Sequence, residues 1–187
     1  KRMFAHFDFD GEISEKLVHQ LNSFLPPSIA VKKIFEVKED FHARFSAKYR
    51  TYEYYISLEK NPFSEKFAWQ HWRKSLDVEK MNEACKILFE YEDFGSFAKV
   101  GADNKTNICK IYHANWEQNG NELKFTISAD RFLRNMVRAI VGTMVEIGSG
   151  KLKPADLRNV IEAKNRGVAG TSAPAHALFL VDVGYDF

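Results

Sequence analysis

Apolar residues along this chain recur with two different periods, and the switches between them mark its elements. The opening residues set Met3, Ala5, Phe7 and Phe9 on one side, the period of a half-buried strand that starts at residue 1. Domains seldom open inside a strand, so chain upstream of Lys1 is expected. Residues 14–25 shift to helical spacing through Leu17, Val18, Leu21, Phe24 and Leu25, with Ser14 as N-cap and Ile13 and Val18 as a hydrophobic staple. Pro26-Pro27 stops that helix, and residues 29–37 read as a second strand.

Alternation returns at residues 49–58. Arg50, Tyr52, Tyr54, Ile56 and Leu58 share one face, and Tyr49, Thr51, Glu53 and Tyr55 the other. Residues 60–76 have no period. Residues 76–90 form an amphipathic helix that turns Val78, Met81, Cys85, Leu88 and Phe89 inward. A polar loop over 93–107 holds Lys99 and Lys105, and strands on either side of Asn119-Gly120 make a hairpin. The most apolar helix begins at Asp130. Another follows, with Pro154 near its start and Gly167 past its end, and a strand over 178–183 closes the pattern. Without a β-α-β-α rhythm, these elements predict an α+β fold: a mostly antiparallel sheet with helices on one face.

Composition changes little in this picture. A chain of 187 residues suits one domain or a large part of one. The net charge of +2 means that any basic surface must come from uneven distribution. Cys85 and Cys109 are the only cysteines and lie far apart, which favours a reducing compartment, the cytoplasm, over a disulfide framework. No apolar run approaches the ~20 residues that span a bilayer, so no membrane partner is expected. Gly-rich phosphate loops and the zinc and acyl-transfer motifs are absent, and the isolated histidines read as surface or structural residues.

Two places carry candidate chemistry. Residues 41–56, FHARFSAKYRTYEYYI, thread Arg44, Lys48 and Arg50 among Phe41, Phe45, Tyr49, Tyr52, Tyr54 and Tyr55. This is either a core strand with solvated edges, or an arrangement in which rings stack on bases and cations meet phosphates. At about 100° per residue, the helix from Asp130 centres Phe132, Met136, Ile140, Met144 and Ile147 on one face and gathers Arg131, Arg134 and Arg138 on the opposite one. Arg138 borders Val141, Gly142 and Val145, where a guanidinium needs an anion. That anion is either an internal Asp or Glu, or a catalytic carboxylate or phosphate.

FHARFSA, the Tyr-rich strand after it, DFGSF at 93–97, FLRNMVRAIVGTMVEIG and ALFLVDV occur in an order that resembles the tRNA pseudouridine synthase A family across essentially the whole chain. LNSFLPPSIAV at 21–31 is also similar. The resemblance implies a homodimeric isomerase, without metal or organic cofactor, that converts uridine to pseudouridine in the anticodon arm of tRNA. It implies that Tyr52 packs on the target base and that Arg138 pairs with a nucleophilic aspartate. Leu178 would line the base pocket. Phe41, His42, Ala43, Arg44 and Phe45 would contact RNA, as would the loop Gly101, Ala102, Asp103, Asn104 and Lys105.

The nucleophile implied lies in a Gly-Arg-Thr-Asp motif just before the first strand, and no such motif occurs in these residues. The chain is therefore expected to be the larger C-terminal part of a synthase, inactive alone. A family arginine used in base flipping is replaced by the acids of DFDGEI. The competing expectation is a non-catalytic RNA-binding module of the same fold; a third is an interaction scaffold.

Overall fold

A computed structural model describes residues 3–72 and 75–187. Its centre is a five-stranded sheet built around β1 (Tyr49–Ser57), whose alternation buries Tyr54 and Ile56. Along one edge β1 pairs antiparallel with β4 (Glu122–Ala129), from Arg50 opposite Ala129 to Ser57 opposite Glu122. Its other edge is shared. Residues 49–54 pair antiparallel with β5 (Leu178–Gly184), while Ile56 and Ser57 pair in parallel with the two-residue β2 (Trp69–Gln70).

β3 (Ile111–Asn119) completes the sheet as a hairpin with β4. Asn119 pairs with Glu122, so the loop is Gly120-Asn121, one residue later than the Asn-Gly dipeptide predicts. Gly120, at φ 58°, takes the first loop position, where a type II′ hairpin requires glycine.

Helices cover one face. α2 (Val78–Leu88) is N-capped by Asp77, whose carboxylate accepts from the Lys80 amide, and buries Met81, Ala84, Cys85, Ile87 and Leu88. α3 (Met136–Gly148) is buried at nearly every position, and α4 (Asp156–Glu162) adds Leu157, Val160 and Ile161. Tyr54, Ile56, Leu123, Phe125 and Ile127 from the sheet meet Met136, Ile140 and Met144 from α3 in a single core. Trp116 stacks on Phe125 with ring centroids 4.8 Å apart. The α+β class follows the sequence pattern. Among the described residues no helix is long and apolar enough to cross a membrane.

Several expectations are overturned. Residues 3–9 and 29–37 form no strand, and Met3, Phe7, Phe9, Ile29 and Val37 stay exposed; Lys1 and Arg2 lie outside the described residues. Alternation supplies a face, but a strand also needs a neighbour for its ladder, and these segments find none among the described residues. α1 (Glu15–Phe24) does form, with Ser14 at its N-cap making no side-chain bond, yet it buries nothing and leaves Phe24 88% exposed. Phe89, just past α2, is exposed rather than inward. The loop over 93–107 is less polar than it reads: Phe94 and Phe97 are fully buried around a short 3-10 turn.

Candidate active site

The most apolar helix starts at Met136, not Asp130, because Asn135 adopts a left-handed conformation with φ 72°. Asparagine tolerates this region better than most residues. Residues 131–135 are therefore non-helical, and the predicted arc of Arg131, Arg134 and Arg138 dissolves. Arg138 alone remains on α3, in its first turn and half-buried. Its Nε donates to the Ala173 carbonyl at 2.6 Å, and the Ala173 amide donates to the Arg138 carbonyl at 3.0 Å. Neither Nη group bonds to a described residue, and no described carboxylate forms an ion pair with the guanidinium. Among the described residues the internal salt bridge left open by the sequence does not form.

Close backbone contact puts Ala173 there. A Cβ on Gly142 would collide with the Thr171 carbonyl oxygen, and one on Gly170 would lie 2.8 Å from the Thr143 amide. Thr143 Oγ1 donates to Ala139 O and accepts from the Gly170 amide, each at 2.9 Å. At the helix start, Asn135 Nδ2 and Arg166 Nη2 both donate to Ser172 Oγ at 2.7 Å. This lacing of residues 170–173 onto α3 escapes sequence reasoning; the only trace of it is the small-residue content of GVAGTSAPA opposite a helical glycine.

The sheet supplies the facing wall. Across the antiparallel ladders Tyr52 stands opposite Ile127 and Leu180, and Tyr54 opposite Phe125 and Leu178. Paired residues share a face, so Tyr52, Tyr54 and Leu178 look toward α3. Tyr54 lies within the field of the guanidinium, and its hydroxyl donates to Pro174 O, next to Ala173, at 2.9 Å. Burial pushes its pKa up while the Arg138 charge pulls it back. Sequence reasoning missed this residue. Tyr52, one strand repeat or about 7 Å away, meets the edge of Phe132 at 5.2 Å, and its hydroxyl bonds to no described residue. Burial raises its pKa too, against the opposing charge of Arg50. Cys85 and Cys109 are free and buried, their thiols pushed up to about 12 and about 11 by burial, so neither is an activated nucleophile.

Residues 41–45 make a tight turn ahead of β1. The His42 amide donates to Ser46 Oγ at 2.9 Å, the Ser46 amide to His42 O at 2.8 Å, and the Arg44 amide to His42 Nδ1 at 3.1 Å. Phe41 packs on Tyr185 at 5.3 Å, and the Tyr185 hydroxyl donates to Ala43 O at 2.6 Å. Arg44 and Phe45 point outward, with the guanidinium 5.5 Å from the ring. The other cations are engaged. Lys48 pairs with Asp186 at 3.1 Å. Arg50 donates from Nη1 to Ala47 O at 3.1 Å and Asp130 O at 2.7 Å, and from Nη2 to Arg44 O. Arg50 is thus a clasp between the turn and the end of β4 rather than a free phosphate ligand.

The loop at 101–105 makes no hydrogen bond to Arg138. Gly101 has φ 72°, the Asn104 amide donates to Ala102 O at 2.9 Å, and Asp103 and Lys105 face solvent. Just before the loop the Lys99 amide donates to Arg134 O at 2.9 Å, tying this segment to the residues that precede α3. So the structure gathers Tyr52, Leu178 and Arg138 beneath one face and leaves residues 41–45 and 101–105 as separate surface elements.

Comparison with known proteins gives this arrangement a family. A family model described as tRNA pseudouridine synthase matches residues 84–186. Proteins named tRNA pseudouridine synthase A are similar over nearly the full chain. The one from Parabacteroides distasonis is 55% identical over 185 residues, covering 98% of this chain and 73% of its own length. That from Bacteroides fragilis is 54% identical over 186 residues with the same coverage, and that from Bacillus subtilis 39% over 184 residues. The chain belongs to the tRNA pseudouridine synthase family.

Proposed function

We propose that the full-length protein isomerises uridine to pseudouridine in the anticodon arm of tRNA, as a cytoplasmic homodimer, with Arg138 and Tyr52 in its active site. The observation that carries this reading is Arg138: a half-buried guanidinium whose Nη groups meet no carboxylate among the described residues. An unpaired buried charge is costly, so an anion from elsewhere belongs there. The chain contains no Gly-Arg-Thr-Asp and spans 73% of its relatives' length. The aspartate is assigned to polypeptide outside these residues, which form the larger C-terminal part of the enzyme.

The chemistry fits that assignment. Moving uracil from an N- to a C-glycosidic bond requires the base out of its stack. A carboxylate attacks covalently, and the fixed charge of Arg138 keeps it ionised in an apolar pocket. The ring of Tyr52 gives the uracil a flat face, and its unengaged hydroxyl is available for proton transfer. Leu178 lines the apolar side. The turn at 41–45 offers Arg44 and Phe45 to the RNA, and residues 101–105 form a second contact. Every role falls to protein side chains, so no metal or organic cofactor is assigned.

The test is pseudouridine formation in an unmodified tRNA transcript, read by carbodiimide adducts and primer extension. Full-length protein should place product in the anticodon arm, and the 187-residue chain alone should make none. Tight binding of tRNA without product at full length would favour the non-catalytic module.

A further inference from the structure

Two consecutive carbonyls, those of Ala173 and Pro174, each receive a donor, one from the helix layer and one from the sheet. Arg138 Nε on α3 donates to Ala173 O at 2.6 Å, and the Tyr54 hydroxyl on β1 donates to Pro174 O at 2.9 Å. We propose that Tyr54 is a positioning residue for the isomerisation: through the Ala173-Pro174 strap it sets where the Arg138 guanidinium stands against the ring of Tyr52. The inference rests on the pseudouridine synthase reading and adds to it a residue that does not touch the substrate.

The strap is moored on both walls. On the helix side the Ala173 amide donates to Arg138 O at 3.0 Å, and the Gly170 amide to Thr143 Oγ1 at 2.9 Å. Those bonds fix residues 170–173 to α3, but they do not fix the strap to the sheet. Tyr54 does so twice. Its main chain is in register with Leu178 on β5, and its hydroxyl reaches back to Pro174, so one residue holds both ends of the 3-10 turn Ala175–Ala177. Within that turn Ala177 is fully buried, and His176 Nε2 lies 3.2 Å from Ala68 O. β1 also carries Tyr52, two residues earlier and on the same face. One side chain therefore ties the cation, the ring of Tyr52 and Leu178 to a single strand.

Tyr54 is suited to this role and not to chemistry. It is fully buried, so it meets no substrate. Burial pushes its pKa up against the pull of the Arg138 charge, which keeps the hydroxyl protonated and donating. Without that hydroxyl the Pro174 carbonyl loses its donor, and Arg138 moves with the strap. A misplacement of about 1 Å near a reacting centre slows a reaction by about a hundredfold.

The experiment uses full-length protein with Tyr54→Phe, Arg138→Gln, the double variant and, as a control in the core side of α4, Ile161→Val. Single-turnover assays on an unmodified tRNA transcript give the rate, and steady-state assays split KM from kcat. NMR follows solvent exchange of the Arg138 Nε proton, assigned by its loss in Arg138→Gln. Tyr54→Phe should slow single turnover about 10–100-fold with KM changed less than about twofold, and the Nε proton should exchange faster. Added to Arg138→Gln, it should slow the reaction by less than about threefold, because a residue that acts through another has nothing left to act on. Ile161→Val, which loosens the core without touching the strap, should leave the Nε exchange as it is. Wild-type turnover in Tyr54→Phe, an unchanged Nε exchange rate, or the same fold loss in both backgrounds would overturn the assignment. Wild-type protein that makes no pseudouridine would refute the enzyme reading instead. The Nε exchange would then decide the link from Tyr54 to Arg138 by itself, faster in Tyr54→Phe upholding it and unchanged overturning it.

Discussion

Arg138 carries a cost within this chain that a purely structural residue would not. The only hydrogen bond of its guanidinium to the described residues is from Nε to Ala173 O, so an apolar replacement of similar length gives up one charged hydrogen bond and removes a half-buried cation. In the 187-residue chain Arg138→Met should change stability by less than about 1 kcal/mol, or raise it. Chemical denaturation would check this; a loss of about 3 kcal/mol or more would mark Arg138 as structural. Arg50 should behave in the opposite way. Its guanidinium satisfies the carbonyls of Arg44, Ala47 and Asp130 together. Arg50→Ala should cost about 2–3 kcal/mol, and Arg50→Lys, which lacks the planar fork, should recover little of it. The two arginines look alike in sequence, and only geometry separates them. The apolar neighbours of Arg138 in the sequence raised the question of its partner, and among the described residues the structure offers it a carbonyl and no carboxylate. The role of Arg50 was not legible, because its partners are backbone carbonyls, which leave no mark in side-chain pattern.

At the level of elements, the junction between α3 and residues 170–173 decides where Ala173 O stands, and so where Arg138 points. Gly142→Ala would drive a methyl group into the Thr171 carbonyl. Overpacking against backbone should cost about 1–3 kcal/mol, and in the full-length enzyme pseudouridine formation should fall more than substrate affinity does. Activity measured alongside melting temperature would show it; a Gly142→Ala protein with normal turnover would mean that the loop is not tightly seated. Elements whose partners lie nearby were legible. β1, the hairpin and α2 follow their periodicity because strand neighbours and a core face are present. The strands expected at residues 3–9 and 29–37 were misread because alternation specifies a face without supplying a neighbour. The early start of the apolar helix was misread because nothing in FLRNM announces a left-handed asparagine.

Across the whole molecule the tyrosines of β1 tie stability to pH. Tyr52, Tyr54 and Tyr55 ionise above the ordinary value of 10.0, Tyr52 and Tyr54 chiefly through burial. Tyr55 is pushed up to about 12 by burial and by its bond to Glu53. Above pH ~10 the unfolded chain loses these protons while the folded chain keeps them, so the unfolded state binds fewer protons and stability falls as pH rises. Melting temperature should be level in this respect below pH ~10 and decline toward the raised folded values, in step with tyrosinate absorbance. The family was legible from ordered motifs, and membership follows from relatives 55% and 54% identical. In the proposed function the site within these residues is half complete: a half-buried cation at Arg138 and the aromatic face of Tyr52, to which polypeptide outside them would bring a carboxylate. The most direct test is single-turnover pseudouridine formation by full-length protein carrying Arg138→Gln, which keeps a donor for Ala173 O but removes the charge. Product formation should slow by about a hundredfold or more with tRNA affinity little changed; turnover at the wild-type rate would contradict the account.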